Sequence, residues 1–392
     1  MIASSLSFFS RTERARAEDD DATSNPLSID VHGFVSQGFI KTTENNYLAD
    51  SKRGSFEFTE VGLNFTKNLS DRMRVGIQLF THDLGPLGNY ATRFDWFYLD
   101  YRFFDWLGVR AGRTKLPFGL YNETSDIDAA RVPALLPQSV YPVSNREYLL
   151  AQTGGELYGD ISLADAGALE YRLYGGTVFY DTADLSAALT NVTVPYIYGG
   201  RLMWQAPLEG LQLGGSMQKL RIDAEDTLTA AQTMAYMAAG LLPPNFMGNI
   251  SLHVPATLWV GSAEYVAHDF SLAAEYSRWI VTLEASVLAP KTTVTSERGY
   301  LMGSYHVTPW FTPGLYYSLF FPNADQRHGR AAYQHDVAAT FRYDLNAYWL
   351  LKLEGHYMRG TAGLDPTLNG NVPVSSLVQD WGVLLVKTTA YF

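Results

Sequence analysis

Apolar and polar side chains alternate with a period of two residues from Ser28 onward. In segment 72–81, one face carries Met73, Val75, Ile77 and Leu79, and the other carries Arg72, Arg74, Gly76 and Gln78. Segments 211–218 and 349–356 show the same alternation. A period of two over this length indicates β-strands with one apolar and one polar face, not amphipathic helices.

The links between these strands are of two kinds, and the two kinds alternate strictly. Short turns are predicted near residues 67–72, 104–107, 163–168, 206–211, 267–271, 307–311 and 344–349. Long polar links are predicted at about 42–53, 82–92, 116–147, 181–194, 222–250, 288–298, 322–331 and 360–375. Together these links connect about sixteen strands, many of them long enough to cross a bilayer at a tilt.

An even strand count with short turns on one side and long loops on the other is typical of transmembrane barrels. The predicted fold class is therefore all-β: a transmembrane antiparallel up-and-down β-barrel of about 16 strands, with short periplasmic turns and long extracellular loops. Trp106, Phe270, Trp310 and Trp349 lie at short turns, as expected for an interfacial aromatic girdle. A terminal Phe392 on an alternating strand is typical of bacterial outer-membrane proteins.

We expect one barrel domain over residues 27–392. Residues 1–26 are excluded from it and have two interpretations. The apolar stretch 2–9 and the small-x-small sequence Ala15-Arg16-Ala17 resemble a signal peptide, but the arginines follow the apolar stretch instead of preceding it. The acidic run 18–21 favours a disordered tail instead.

Composition excludes several other classes of protein. No apolar run approaches the roughly 18 residues of a membrane-spanning helix. The net charge of −11 argues against nucleic-acid binding, and the absence of cysteine excludes disulfides and thiolate chemistry. No phosphate-binding loop, zinc-protease motif or nucleophile elbow occurs, so no cofactor, metal or enzymatic activity is expected. Two alternatives stay open: an enzymatic barrel using Ser304 and His306, or a scaffold whose lumen holds a partner protein.

A closed sheet of sixteen strands is too wide for side chains to fill and leaves an aqueous channel unless a loop narrows it. The longest link, 116–147, is the third long loop, and we expect it to fold inward as the constriction. The candidate constriction residues are Arg113, Lys115, Asp126, Asp128, Arg131, Arg146 and Glu147. A second long loop, 222–250, is predicted to contain a short helix from Asp226 to Ala239.

The predicted inner face carries charges of both signs. Its basic candidates are Arg72, Arg74, Arg110, Arg172, Arg201, Arg342 and Lys352. Its acidic candidates are Asp100, Glu170, Glu264, Glu275, Asp336 and Glu354. Opposed charges across a lumen partly cancel, so we expect a water-filled channel for ions and small hydrophilic solutes with weak charge selectivity.

The segment Gly112-Arg113-Thr114-Lys115-Leu116-Pro117-Phe118-Gly119 resembles a signature of the phosphate-selective porin O and P family. Segments 300–308 and 335–346 resemble later strands of the same porins. The resemblance implies sixteen strands in the bacterial outer membrane, a homotrimer, an inward-folded third loop and passive diffusion. Phosphate selectivity is not carried over, because acidic residues are interleaved with the basic ones.

Overall fold

The computed structural model describes residues 28–179, 190–226, 230–240, 242–243, 246, 250–285 and 291–392. The expectation for residues 1–26 lies outside this part of the chain. The described residues form sixteen strands: β1 (Asp30–Thr42), β2 (Phe58–Ser70), β3 (Met73–Leu84), β4 (Arg93–Phe104), β5 (Leu107–Lys115), β6 (Ala151–Ser162), β7 (Ala168–Val178), β8 (Thr190–Gln205), β9 (Leu211–Asp226), β10 (Ile250–Ala267), β11 (Phe270–Ala285), β12 (Thr292–Tyr305), β13 (Phe311–Phe321), β14 (Gln334–Asn346), β15 (Trp349–Gly360) and β16 (Asp380–Tyr391).

The strands form one closed antiparallel barrel in sequence order. Closure is made by β1 and β16, where Phe34 lies opposite Tyr391. The backbone N–H of Gly33 donates to the carbonyl of Phe392 at 3.0 Å, and the reverse bond has the same length. Closure pairs the backbone groups that would otherwise be exposed at two sheet edges. The predicted fold class is confirmed.

Connections alternate between short and long, but several predicted boundaries are wrong. Strand β12 begins at Thr292 and β8 at Thr190, so the links predicted at 288–298 and 181–194 are shorter. Strand β9 continues to Asp226, and a helix covers Ala230–Ala238 instead of starting at Asp226. The polar segments that begin β8 and β12 are rich in Thr, whose β-branched side chain favours extended backbone despite its polarity.

The outer face of the barrel is apolar and exposed. Leu173, Leu202 and Leu301 are each about half exposed on outward positions of β7, β8 and β12. Trp106, Trp310 and Trp349 are exposed at the short-turn rim. An apolar band bounded by exposed aromatic rings is the surface that lipid covers. Within the described residues, no helix is long and apolar enough to span a bilayer.

The inner face differs from the uniformly polar wall that the sequence predicted. On β8 to β11, the inward residues Ile197, Leu220, Leu258 and Trp279 are buried in one apolar cluster. Their partners come from the link between β5 and β6, which supplies Leu116, Phe118, Leu120, Leu136 and others. The prediction fails here because this part of the wall faces protein instead of water.

Candidate functional site

The link between β5 and β6, residues 116–150, is called L3 below. The chain leaves the barrel wall after Lys115 and turns at Gly119, a glycine with left-handed backbone (φ 64°). Gly112 (φ 131°) lies earlier, within β5, where it is still paired with β4 and β6. A Cβ at Gly119 would overlap the Tyr141 hydroxyl and the Glu275 carboxylate. Phe118, just before Gly119, is buried against the ring of Trp279 on β11. The motif therefore turns the chain from the wall into the lumen.

Glu275, on the inner face of β11, holds the start of L3. Its Oε1 accepts the backbone N–H of Leu120 at 2.9 Å and the hydroxyl of Ser262 at 2.5 Å. Its Oε2 accepts the hydroxyls of Tyr300, at 2.8 Å, and of Tyr141. These four donors fix the orientation of the side chain, so Glu275 has a positioning role.

Glu123 joins L3 to the wall at β7 and β8. Its carboxylate pairs with Arg172 and with Arg201, the latter at 2.9 Å. Burial alone would raise the pKa of Glu123, but the fields of Arg172, Arg201 and Arg110 outweigh it and lower the pKa to about 2. Glu123 is therefore ionised over the physiological range.

Two further charge pairs, at Asp126 and at Arg146, hold L3 to the wall. Asp126 pairs with Lys115 and accepts a hydrogen bond from Gln78 of β3 at 2.7 Å. Burial raises the pKa of Asp126, but the ammonium of Lys115 and the guanidinium of Arg146 lower it by more, so the net effect is a lowered pKa. Arg146 pairs with Asp95 of β4 at 2.6 Å. These pairs fix both ends of L3 to the β3–β4 wall.

Asp128 lies at the centre of the most buried charge cluster. Its carboxylate is 2.9 Å from Arg131, 2.8 Å from Lys387 of β16 and 3.6 Å from Lys352 of β15. It also accepts the hydroxyl of Thr389 at 2.6 Å. Both lysines are fully buried. Burial raises the pKa of Asp128, but the three cations lower it well below its usual value.

Backbone groups of L3 are also bound by wall side chains. Glu354 of β15 accepts the N–H groups of Ala134 and Leu135 at 2.7 and 3.1 Å. Lys352 donates to the carbonyls of Asp128 and Pro133 at 2.8 and 2.9 Å. L3 thus contacts strands on opposite sides of the barrel and crosses the lumen, as the sequence predicted.

Between L3 and the β2–β3 wall lies a cavity of about 70 Å³. We call it the L3 gap. Its charged lining consists of Glu60 and Asp126 with Arg131 and Arg146, and Asn122 and Gln138 contribute amides. Both signs of charge therefore meet in the L3 gap. Opposed charges across such a gap produce a transverse field without a strong net attraction for either ion sign.

A group of inward charges, here called the charged belt, lies on one part of the wall, on β4 to β8, nearer the short-turn rim. Arg110 is 3.0 Å from Asp100, Arg172 is 2.5 Å from Glu156, and Arg201 is 2.7 Å from Glu170. Arg110 also lies over the ring of Tyr158, 4.4 Å from its centroid. Each cation of the belt has a carboxylate partner, so the belt is polar but nearly balanced.

The structure brings most of the predicted constriction residues together, namely Lys115, Asp126, Asp128, Arg131 and Arg146. The Nε–H of Arg113 donates a hydrogen bond to the backbone carbonyl of Asp95, at 2.9 Å. The side chain of Glu147 lies outside the described residues. Arg72 was predicted on the lumen wall, and this is wrong: it lies exposed in the turn between β2 and β3, because the strand ends before it.

The remaining predicted wall residues occupy inward positions of their strands. Arg74 of β3 lies opposite the inward Asp100 of β4. Arg342 donates to the L3 carbonyl of Ala129 at 2.7 Å, and Glu264 accepts the hydroxyl of Tyr121 at 3.3 Å. Asp336 is 3.0 Å from His356.

Sequence reasoning missed several residues of the site: Glu60, Asp95, Glu123, Glu156 and Lys387. It placed Gln78 on the polar face of its strand without assigning it to the site. Lys387 could have been found from the alternation of β16: its neighbours Val386 and Thr388 face outward, so Lys387 faces the lumen. Ser304 and His306 lie two residues apart, but the described structure places no hydrogen bond between them; His306 contacts the Asp269 carbonyl instead, at 3.4 Å.

Solved structures resemble this fold, although no family model and no curated protein matches the chain. An anion-selective porin from Comamonas acidovorans superimposes with a TM-score of 0.59 at 11% identity, covering 93% of this chain and 99% of that one. The outer-membrane protein OmpT of Vibrio cholerae gives 0.58 at 11%, covering 95% and 99%. The outer-membrane channel DcaP of Acinetobacter baumannii gives 0.54 at 12%, covering 93% and 97%. The chain therefore shares the β-barrel fold of these outer-membrane proteins.

Proposed function

We propose that the chain is a bacterial outer-membrane porin that lets ions and small hydrophilic solutes diffuse passively through its lumen. The observation that carries this proposal is L3: it crosses the interior, is bound to the wall by buried ion pairs, and leaves a charged gap beside β2 and β3. The structural neighbours described as porins and channels support it.

The solute path follows from the placement of charge. A solute enters from the long-loop side, passes the L3 gap, follows the charged belt and leaves at the short-turn rim. Glu60 and Asp126 face the path together with Arg131 and Arg146, so cations and anions each meet attraction and repulsion. This arrangement favours weak ion selectivity.

Membership of the phosphate-selective porin O and P family belongs to the same proposal. Gly119 of the motif adopts a left-handed backbone at the inward turn, which supports the resemblance. Strong phosphate binding is not proposed, because the cations of the belt are paired with carboxylates. A homotrimer rests on the resemblance and on a trimeric neighbour from Vibrio cholerae.

Planar-bilayer recording tests the proposal. Purified protein should give discrete conductance steps and a small reversal potential in a salt gradient. Arg146→Glu should move the reversal potential toward cation preference, and Glu60→Lys should move it toward anion preference. Deleting 122–144 should raise the conductance, whereas shortening the exposed link at 323–329 serves as the control. Absence of steps, or near-ideal selectivity of the unaltered protein, would contradict the proposal.

A further inference from the structure

The outer wall of β9 changes from apolar to basic along its length. Its outward residues run Leu213, Gly215 and Met217, and then Lys219 and Arg221. On β11, the outward Leu272 and Tyr276 are followed by Arg278. Charged side chains on the lipid face of a barrel are tolerated near the membrane surface and disfavoured at its centre. On β9 these residues mark where the apolar band ends, and on β11 one further exposed apolar residue, Ile280, follows Arg278.

The position of Lys219 agrees with the thickness of a membrane. It lies eight residues beyond Leu211, the first residue of β9 at the short-turn rim. Eight residues at about 3.4 Å each span roughly 27 Å along the strand, or about 20 Å vertically at a tilt near 40°. Lys219 is therefore close to the upper border of an apolar band about 25 Å tall, at the level of lipid headgroups.

Aromatic rings surround these basic residues. Tyr198 of β8 lies opposite Lys219, and Tyr196 carries the Arg221 guanidinium 5.7 Å from its ring centre. Trp259 of β10 lies opposite Arg278 and packs edge-on against Tyr276, with ring centroids 6.0 Å apart. Tyr and Trp are the residues preferred at the headgroup level, where one edge stays wet.

The charges of this region are incompletely balanced. Arg221 pairs with Asp223 at 2.7 Å, and Arg278 and Arg327 share the carboxylate of Glu297. Lys219 has neither an ion pair nor a side-chain hydrogen bond among the described residues. We call these four cations and two carboxylates the outer-wall patch. Its surplus positive charge is directed away from the lumen and plays no part in the proposed path.

We propose that the outer-wall patch binds the phosphate group of an outer-leaflet lipid, with the acyl chains lying along the apolar residues below it. Lys219 and Arg278 are two strands apart and two residues out of register. At normal strand spacing they lie roughly 12 Å from each other, a width that one phosphorylated headgroup can bridge. The apolar surface at Met217 and Leu213, both exposed, continues directly from the patch. Charge complementarity and this continuity favour a lipid over a free anion.

Native mass spectrometry of the detergent-solubilised protein tests this inference. The probe is phosphatidic acid, compared with diacylglycerol of identical acyl chains, so that only the phosphate differs. We expect the unaltered protein to retain phosphatidic acid in preference to diacylglycerol. Lys219→Gln with Arg278→Gln should reduce retention by about tenfold or more, because each cation contributes to the attraction. Lys41→Gln with Arg359→Gln, which removes two outward cations elsewhere on the barrel, is the matched control.

Three outcomes would overturn the inference. The first is equal retention of the two lipids, or equal loss in the patch variant and the control. The second is displacement of the lipid by inorganic phosphate at equal concentration, which would indicate a free-anion site. The third is a changed oligomeric state of the patch variant with unchanged lipid retention, which would make the patch a contact between copies of the chain.

Discussion

Replacing Asp128 by Asn should release L3 from the barrel wall. The substitution preserves shape but removes the only carboxylate within 4 Å of the fully buried Lys352 among the described residues. Lys387 retains a second carboxylate partner, Glu60, at 2.5 Å, so the substitution destabilises Lys387 less than Lys352. Breaking a buried ion pair by removing one partner costs about 3–5 kcal/mol, because the other charge stays desolvated.

The protein can escape this cost by opening L3 locally, since local opening is limited to a smaller free energy than global unfolding. Hydrogen exchange measures the result directly. The N–H groups of Ala134 and Leu135, which Glu354 binds, should exchange about a hundredfold or more faster in Asp128→Asn, the factor that about 3 kcal/mol produces. Single-channel records should become noisier as the loop moves.

Asp165→Asn, in the exposed turn between β6 and β7, is the control and should change neither measurement. Unchanged exchange at Ala134 and Leu135 in Asp128→Asn would refute the reasoning that buried lysines hold L3 through this carboxylate.

Three further predictions concern the same loop. The pKa of Glu123 is lowered from 4.5 to about 2, so ionised Glu123 contributes stability above about pH 4.5, and this stability is lost as pH falls through 2. The loss of about 3 kcal/mol should be visible as faster hydrogen exchange in L3. This pH dependence should disappear in Glu123→Gln. Gly119→Ala should destabilise L3 by about 1–3 kcal/mol, measured by urea unfolding, because the new Cβ strains the backbone and overlaps Tyr141. Gly329→Ala is the control: this glycine is also left-handed, but a Cβ there would meet no atom within 4 Å, so only the backbone strain should appear. Glu354→Ala should leave two buried N–H groups without an acceptor and make L3 sensitive to proteases, whereas Glu354→Gln should keep part of the protection.

The sequence predicted the barrel because its signals are local and repeated. A period of two follows from the geometry of a single strand in a wall with two different environments. The alternation of link lengths survived errors of several residues at Thr190, Asp226 and Thr292, because a shifted boundary does not change which links are short. L3 was predictable as a long link, and its inward path followed from the resemblance carried by Gly112–Gly119.

What the sequence could not supply was the pairing of charges across the lumen. Asp128 meets Lys387 over a separation of 259 residues, and Glu60 meets Lys387 over 327. Only closure of the barrel and the inward fold of L3 bring such residues within 4 Å. The same folding converts the inward faces of β8 to β11 into an apolar core, so a wall that alternation alone predicts to face water faces L3 instead. Alternation determined that these strands form a two-faced wall; the tertiary structure decided what each face contacts.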